Sequence, residues 1–306
     1  MKKFIETIAV VGAGAMGAAY AGLLYDMDKN CISFVAGGNR FERLRRDGLI
    51  VNGKHYIIPV LTPDDSSAPS DLIIVAVKYQ HLDNAIRDMK NRVGGETTIM
   101  SVMNGIESEE RIGAVYGMDK VLYAVSLGID ALREGNRVNY KSQGKIFFGE
   151  ARNPFLTDRV KCVQALFDRA GIIYETPPDM IHILWRKFMI NVGINQASAV
   201  LRAPFHVFQT SPEARSLMQS AMQEVITLSE KAGVNLSGED IESFDKILMS
   251  INPHGKTSML QDVEAGRKTE VEMFAGKVIE LGRQFGVPTP VNQMLFDSIK
   301  KIEAKK

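Results

Sequence analysis

The stretch Thr7–Gly17, TIAVVGAGAMG, decides how the rest of the chain is read. TIAVV is a short apolar run rich in β-branched residues, the pattern of a buried strand. The next six residues, Gly12, Ala13, Gly14, Ala15, Met16 and Gly17, fit G-x-G-x-x-G. They stand directly after that strand and open a helix that runs to about Asp28. Gly12 permits a tight turn, Gly14 lets a pyrophosphate approach the backbone, and Gly17 lets helix and strand pack closely. The helix start offers unpaired N–H groups to phosphate. Alone the hexapeptide is a weak signal, and a glycine turn used only for packing is the alternative. Its place behind the first strand argues for dinucleotide binding.

Outward from this turn, short apolar runs alternate with helical patterns. Cys31–Val35, Asp71–Val77, Thr97–Val102, Val121–Val125, Lys145–Phe148 and Ile172–Glu175 read as strands. Phe41–Asp47, Leu82–Asn91 and Thr157–Ala170 read as helices. Helices set between buried strands imply βαβ units and a mostly parallel sheet. After Pro177-Pro178 the pattern is helical to the end, with helices over Ser211–Ala232, Glu239–Ser250, Ser258–Arg267, Thr269–Phe285 and Pro290–Ala304. The fold class is α/β: an N-terminal Rossmann-type doubly wound sheet over residues 1–178, then an all-helical C-terminal domain over 179–306.

The chain of 306 residues, 45% hydrophobic, is long enough for two such cores. A net charge of +1 gives no strong field toward nucleic acid or an anionic membrane. The segment MKKFIETIAVVGAGAMG has the charged start and apolar run of a signal peptide, but Glu6 interrupts it and no cleavage site follows. The longest uncharged run, Phe188–Leu201, is too short to span a bilayer. Two distant cysteines, Cys31 and Cys162, do not suggest a disulfide framework, and a cytoplasmic location is expected. The five histidines are scattered, so no metal site is expected.

Three places in the first half carry candidate cofactor contacts. NAD sites usually carry an acid at the end of the second strand for the ribose diol. That strand ends Phe34-Val35-Ala36-Gly37-Gly38-Asn39-Arg40, with no acid before Glu42. With Arg40 and Arg43 near, the reading tilts toward NADP. Lys78 ends LIIVAV, where carboxyl ends of parallel strands face a ligand crevice; it meets phosphate there or merely snorkels. Asn104 follows TTIMSV in the same way, and either bonds a ligand or caps the turn.

The helical half raises a sharper question at WRKFMINVGINQ, Trp185–Gln196. The segment is apolar on every side, yet Lys187, Asn191 and Asn195 recur every four residues and form one polar stripe. An unpaired buried ammonium costs several kcal/mol. Lys187 therefore snorkels out, pairs with an acid, or lines a wet cleft, and the two amides beside it suit the cleft. Ser258 and Gln261 match the capping box S-x-x-Q, so Ser258 either caps or helps bind an anion such as a carboxylate at a helix start. Thr269 reads as an N-cap with Glu272 at N3. Glu270 at N1 is then either ordinary dipole chemistry or a ligand contact.

Together with GAGAMG, the segments WRKFMINVGIN and SMLQDVEAGRKTE resemble the ketopantoate reductase (2-dehydropantoate 2-reductase) family over essentially the whole chain. The resemblance implies a cytoplasmic enzyme of pantothenate biosynthesis that uses NADPH on a small 2-keto acid, with a homodimer left open as its assembly. It implies that Lys187 is the catalytic lysine and that Asn191 and Asn195 are its companions on the same helix. Asn104 then lies near nicotinamide and substrate, Ser258 binds the substrate carboxylate, Glu270 binds substrate, and Lys78 is associated with the cofactor's phosphate. Two departures stand out. Many members read A-R-G after the second strand. Here Gly37 takes the arginine's place, so Arg40 substitutes or NADH is accepted. Ala203-Pro204-Phe205-His206 occupies a region where the family can place a substrate-contacting asparagine, which opens the choice of keto acid. Two competing readings follow: reduction of another 2-keto acid on the same fold, and a non-catalytic dinucleotide sensor, against which Lys187 argues.

Overall fold

The computed structural model of the chain describes residues 4–305. The charged start of the N-terminal segment, Met1 to Lys3, lies outside them. Twelve strands occur among these residues. They are β1 (Ile8–Val11), β2 (Ile32–Val35), β3 (Leu49–Val51), β4 (Lys54–Tyr56), β5 (Val60–Leu61) and β6 (Leu72–Val75), followed by β7 (Thr98–Ser101), β8 (Val121–Ile129), β9 (Leu132–Glu134), β10 (Arg137–Asn139), β11 (Gln143–Gly149) and β12 (Tyr174–Glu175). Eight of them form one sheet in the order β12-β11-β8-β7-β6-β1-β2-β5. From β5 to β8 every pairing is parallel, and β11 alone runs antiparallel to its neighbour β8.

The helices of this half are α1 (Ala15–Met27), α2 (Gly38–Asp47), α3 (Leu82–Asp88), α4 (Ser108–Tyr116) and α5 (Asp158–Ala170). They cover both faces of the sheet because side chains alternate along each strand. Ile8 and Val10 pack with Tyr20, Leu24, Val163 and Phe167 of α1 and α5. Ala9 and Val11 pack on the other face with Leu82, Ile86 and Ile112 of α3 and α4. The doubly wound reading holds. The patterns of the sequence give no sign of α4, β5, or the small sheet β4-β3-β10-β9.

The chain divides into two compact units, one ending at Ile183 and the other beginning at Leu184. The division falls inside α6 (Met180–Ile190). Asp179, just before this helix, is tied to Arg152 by an ion pair and a backbone bridge, which anchors the helix entry to the sheet.

The second unit is helical. The polar-stripe helix continues from α6 through a π turn, Asn191–Asn195, into α7 (Gln196–Leu201). Then come α8 (Phe205–Thr210), α9 (Pro212–Lys231), α10 (Gly238–Ser250) and α11 (Ser258–Glu264). A second π turn, Glu272–Gly276, leads into α12 (Lys277–Phe285), and α13 (Pro290–Ala304) follows. No helix among the described residues is long and apolar enough to cross a membrane.

The glycine turn depends on contacts that no larger residue tolerates. Gly12 has φ +111°, and a Cβ on Gly17 would lie 2.0 Å from the Gly12 carbonyl oxygen. Backbone cannot move aside cheaply at that spot. Gly17→Ala is expected to destabilise the protein by about 1–3 kcal/mol, the ordinary cost of overpacking. Denaturant unfolding measures it, and an unshifted midpoint would mean that α1 does not seat against Gly12.

Candidate active site

In the first unit, the parallel register places the candidate cofactor residues along one edge. Val11 is level with Val35 and Val75, and Val75 with Ser101. The chain therefore leaves four adjacent strands at the same height, into Gly12–Gly17, Gly37–Arg40, Lys78 and Asn104. This is the carboxyl edge where open parallel sheets bind ligands. Ala13 is buried, while Gly14, Ala15 and Met16 are half-buried. Gly14 is the N-cap of α1 and supplies no side-chain cap; the first turn of α1 carries no acid. Arg40 stands exposed in the first turn of α2, which is also free of acids. Lys78 is exposed one turn beyond β6, and Asn104 is half-buried before Gly105, whose φ is +89°.

Positive charge gathers at this edge. Burial, then Arg40 and Lys78, push the His81 imidazole below its ordinary range. Burial, then Arg43 and Arg40, lower the Arg133 guanidinium, which also donates a hydrogen bond to the Ala13 carbonyl of the glycine turn. Like charges held together beside a helix start are a poor arrangement for the protein alone and a good one for a polyanion. Arg133 went unrecognised in the sequence because its three-residue strand β9 is exposed throughout and shows no periodic pattern.

In the second unit, the candidate residues gather around one helix. Lys187 is half-buried, between the buried rings of Trp185 and Phe188 in sequence. Its neighbour Arg186 is paired with Asp240 at 3.3 Å and bonds the Ser243 hydroxyl at 3.0 Å. Asn191 and Asn195 frame the first π turn, and the Asn195 amide donates to Asn191 Oδ1 at 3.3 Å.

Ser258 is the first residue of α11 and is exposed. The cap is Thr257, whose hydroxyl accepts from Leu260 N at 3.2 Å. The cap expected at Ser258 therefore falls one residue earlier, without a capping box because Leu260 stands at N3, and the Ser258 hydroxyl has no capping duty. Thr257 also donates to Ser198 Oγ at 3.1 Å, which ties the start of α11 to α7. Glu270 is half-buried, and its carbonyl accepts from Met273 N and Phe274 N at the entrance of the second π turn. Thr269 bonds Val271 N through its hydroxyl and donates to Glu303, so Glu270 sits just before the helix rather than in its first α-helical turn. Phe274 in that turn packs on Phe188, their ring centroids 6.5 Å apart.

A doubly wound sheet with a basic glycine-turn edge, followed by a helical unit, defines the class: a Rossmann-fold oxidoreductase. The chain belongs to the ketopantoate reductase PanE/ApbA family. The family description "Ketopantoate reductase PanE/ApbA" matches residues 8–153, and "Ketopantoate reductase PanE/ApbA C terminal" matches residues 179–303. A 2-dehydropantoate 2-reductase of Pyrococcus horikoshii is 26% identical over 305 residues, 97% of each chain. An uncharacterized oxidoreductase of Bacillus subtilis, YkpB, is also 26% identical, over 97% of this chain and 99% of its own. Among solved structures, D-mandelate dehydrogenase with NADH and anilino(oxo)acetate shares the fold with a TM-score of 0.86 at 20% identity, covering 98% of this chain and 99% of that one. A 2-dehydropantoate 2-reductase from Geobacter metallireducens does so with a TM-score of 0.83 at 24% identity, covering 96% and 99%.

One group beside the Asn104 turn was not anticipated. Ser101 donates to Ser108 at 2.8 Å, and Ser108 donates to Glu109 Oε2 at 2.8 Å. Glu109 is 1% exposed, and burial pushes its carboxyl from 4.5 up to about 7, against the lowering effect of these hydrogen bonds. Its folded value lies above its unfolded one. As pH rises from about 4.5, the unfolded chain therefore ionises first and the native state loses ground until about pH 7. At roughly 1.36 kcal/mol per unit this amounts to about 3 kcal/mol. Denaturation of the parent and of Glu109→Gln across this range is expected to show that decline in the parent alone; parallel profiles would place the Glu109 proton elsewhere.

Proposed function

We propose that the chain reduces 2-dehydropantoate to pantoate with NADPH, with Lys187 as the general acid. The observation that supports this best is the gathering of Lys187, Asn191 and Asn195 on one largely buried helix, with the α11 start and the Glu270 turn packed against it.

The glycine turn suits the dinucleotide. A Cβ at Gly12 would meet the Ala76 carbonyl at 2.6 Å, so the turn is as tight as a phosphate cradle needs. The start of α1 is uncapped by any side chain, and Arg40, Arg43, Lys78 and Arg133 supply the countercharge. When bound, the nicotinamide supplies a hydride. The absence of an acid on β2 and α2 up to Glu42, with Arg40 nearby, supports the 2′-phosphate form.

The rest of the chemistry belongs to side chains of this protein. As hydride adds to the keto carbon, the C=O π pair moves to oxygen and negative charge grows there. Lys187 Nζ stabilises that charge and gives the oxygen its proton, which leaves pantoate as the alcohol. Asn191 and Asn195 orient the ammonium and the substrate hydroxyl. Ser258, whose hydroxyl is not spent on capping, binds the carboxylate together with the α11 N–H groups. Glu270 accepts the substrate 4-hydroxyl, and Asn104 contacts nicotinamide and substrate. A homodimer is the assembly expected with this reading.

A second reading, reduction of a different 2-keto acid, has its own support. Phe205 N bonds the Gly255 carbonyl and His206 N bonds the Pro253 carbonyl. The Ala203–His206 segment thus lies against the loop that leads to Ser258, where a substrate side chain would be sorted.

An absorbance assay with both cofactors and a panel of keto acids tests the proposal. Turnover is expected with ketopantoate, with NADPH preferred in kcat/KM and the preference reduced in Arg40→Ala; a strong preference for NADH would overturn the cofactor assignment. Lys187→Ala is expected to lose at least about 10²-fold in kcat, the lower bound for a general acid, while still binding NADPH; near-normal turnover would remove Lys187 from the mechanism. Glu270→Ala is expected to raise KM, and an unchanged KM would return Glu270 to a purely helix-stabilising role.

A further inference from the structure

Directly after the stripe stands a polar residue that neither the motifs nor the proposed chemistry uses. Gln196 is fully buried, at 0% exposure, on the first turn of α7. Its Nε2 donates to the Val192 carbonyl at 2.7 Å and to Asn292 Oδ1 at 3.0 Å, while its Oε1 accepts from Ala275 N at 3.1 Å. A carbonyl only accepts and a backbone N–H only donates, so Val192 and Ala275 fix which way the amide points. Both amide protons are used.

The two backbone partners lie in the two π turns, Asn191–Asn195 and Glu272–Gly276. A π turn shifts the helical ladder by one residue. In the second turn the Val271 carbonyl is taken by Gly276 N, and the Ala275 N–H points to Gln196 instead. One side chain thus serves backbone groups of both turns in a dry interior, where an unmet polar group is costly. The amide is held from behind as well. Asn292, also fully buried, donates to the Ala221 carbonyl at 3.2 Å and to Glu224 Oε2 at 2.7 Å. Glu224 in turn accepts from Val291 N and Asn292 N at the start of α13.

We infer that Gln196 is a positioning residue: its amide bolts the π turn that carries Asn191 and Asn195 to the π turn that follows Glu270, and so sets their spacing. It touches no reacting atom and acts through those side chains. The inference rests on the site proposed above. It adds the element that keeps the two walls of that site in register.

The test compares wild type with Gln196→Met, which keeps the volume and removes every hydrogen bond, using whichever keto acid the wild-type enzyme turns over. The expected loss in kcat/KM per folded molecule is on the order of 10²-fold, the size that a misplacement of about 1 Å brings, with NADPH affinity retained. On the Glu270→Ala background the same change should cost far less, because Gln196 acts by holding Asn191 and Asn195 at their spacing from Glu270. Amide exchange supplies a readout apart from activity: the Ala275 N–H should lose protection in Gln196→Met. Should that variant not fold, Gln196→Glu keeps the acceptor for Ala275 and, as a neutral acid, only one of the two donated bonds, and an intermediate loss is expected. Normal kcat/KM in a folded variant, an equal further loss on the Glu270→Ala background, or an Ala275 amide that stays protected would each overturn the inference. Failure of the substrate reading is seen separately, as wild-type enzyme that is inert with ketopantoate and active with another keto acid; enzyme inert with every keto acid would end both.

Discussion

A polar group placed among hydrocarbon must be met by a partner, and the helical unit is arranged around that requirement. The helix from α6 to α7 has Phe188, Met189, Val192, Ile194, Ala197 and Ala199 all nearly inaccessible to solvent. Its buried polar side chains must therefore be answered within the helix or from neighbouring elements. Asn195 is met by Asn191, Ser198 by Thr257 and the Ala203 carbonyl, and Gln196 by Ala275 and Asn292. These bonds recruit α11, the second π turn and α13 to the helix. Side chains assigned to chemistry and side chains that merely satisfy the interior alternate along a few turns, so the rigidity of one set serves the other.

The sheet unit obeys a different constraint. Parallel strands in register leave the sheet at one level, and the loops that follow are neighbours whether or not they are near in sequence. That geometry turns four short, unrelated segments into one basic rim. The charges there repel one another, and the rim gains most from a ligand that carries several negative groups. Arg133 comes to it from the small sheet, 120 residues away from the Ala13 carbonyl it bonds.

Much of this was legible in the sequence because the signals were local. TIAVV followed by GAGAMG fixes strand, turn and helix through sterics alone, and Thr289-Pro290 marks the start of α13 by a proline at its first turn. The stripe at Lys187, Asn191 and Asn195 was visible because polar residues stand out against apolar ones. Other features were hidden for definite reasons. The strands β3, β4, β9 and β10 are three residues long and partly exposed, too short for any period to show. Helix α4, SEERIGAVY, mixes buried Glu109 with exposed Val115 and so breaks the expected pattern. Thr257 and Ser258 are equally good caps on paper, and only the backbone chooses between them. The role of Gln196 depends on Ala275, 79 positions away, and on two π turns that no spacing rule announces.

The π turn at Asn191–Asn195 also makes the length of this segment a measured quantity. Each residue of an α-helix advances the chain by about 100° around the axis. One residue more or fewer between Lys187 and Gln196 would swing everything beyond it to a different azimuth, with α7 presenting another side chain to Ala275. A substitution along the segment acts at its own position, whereas a single insertion or deletion would put the two ends of the helix out of phase. The segment is thus a ruler as well as a scaffold, and its count of residues matters as much as their identity.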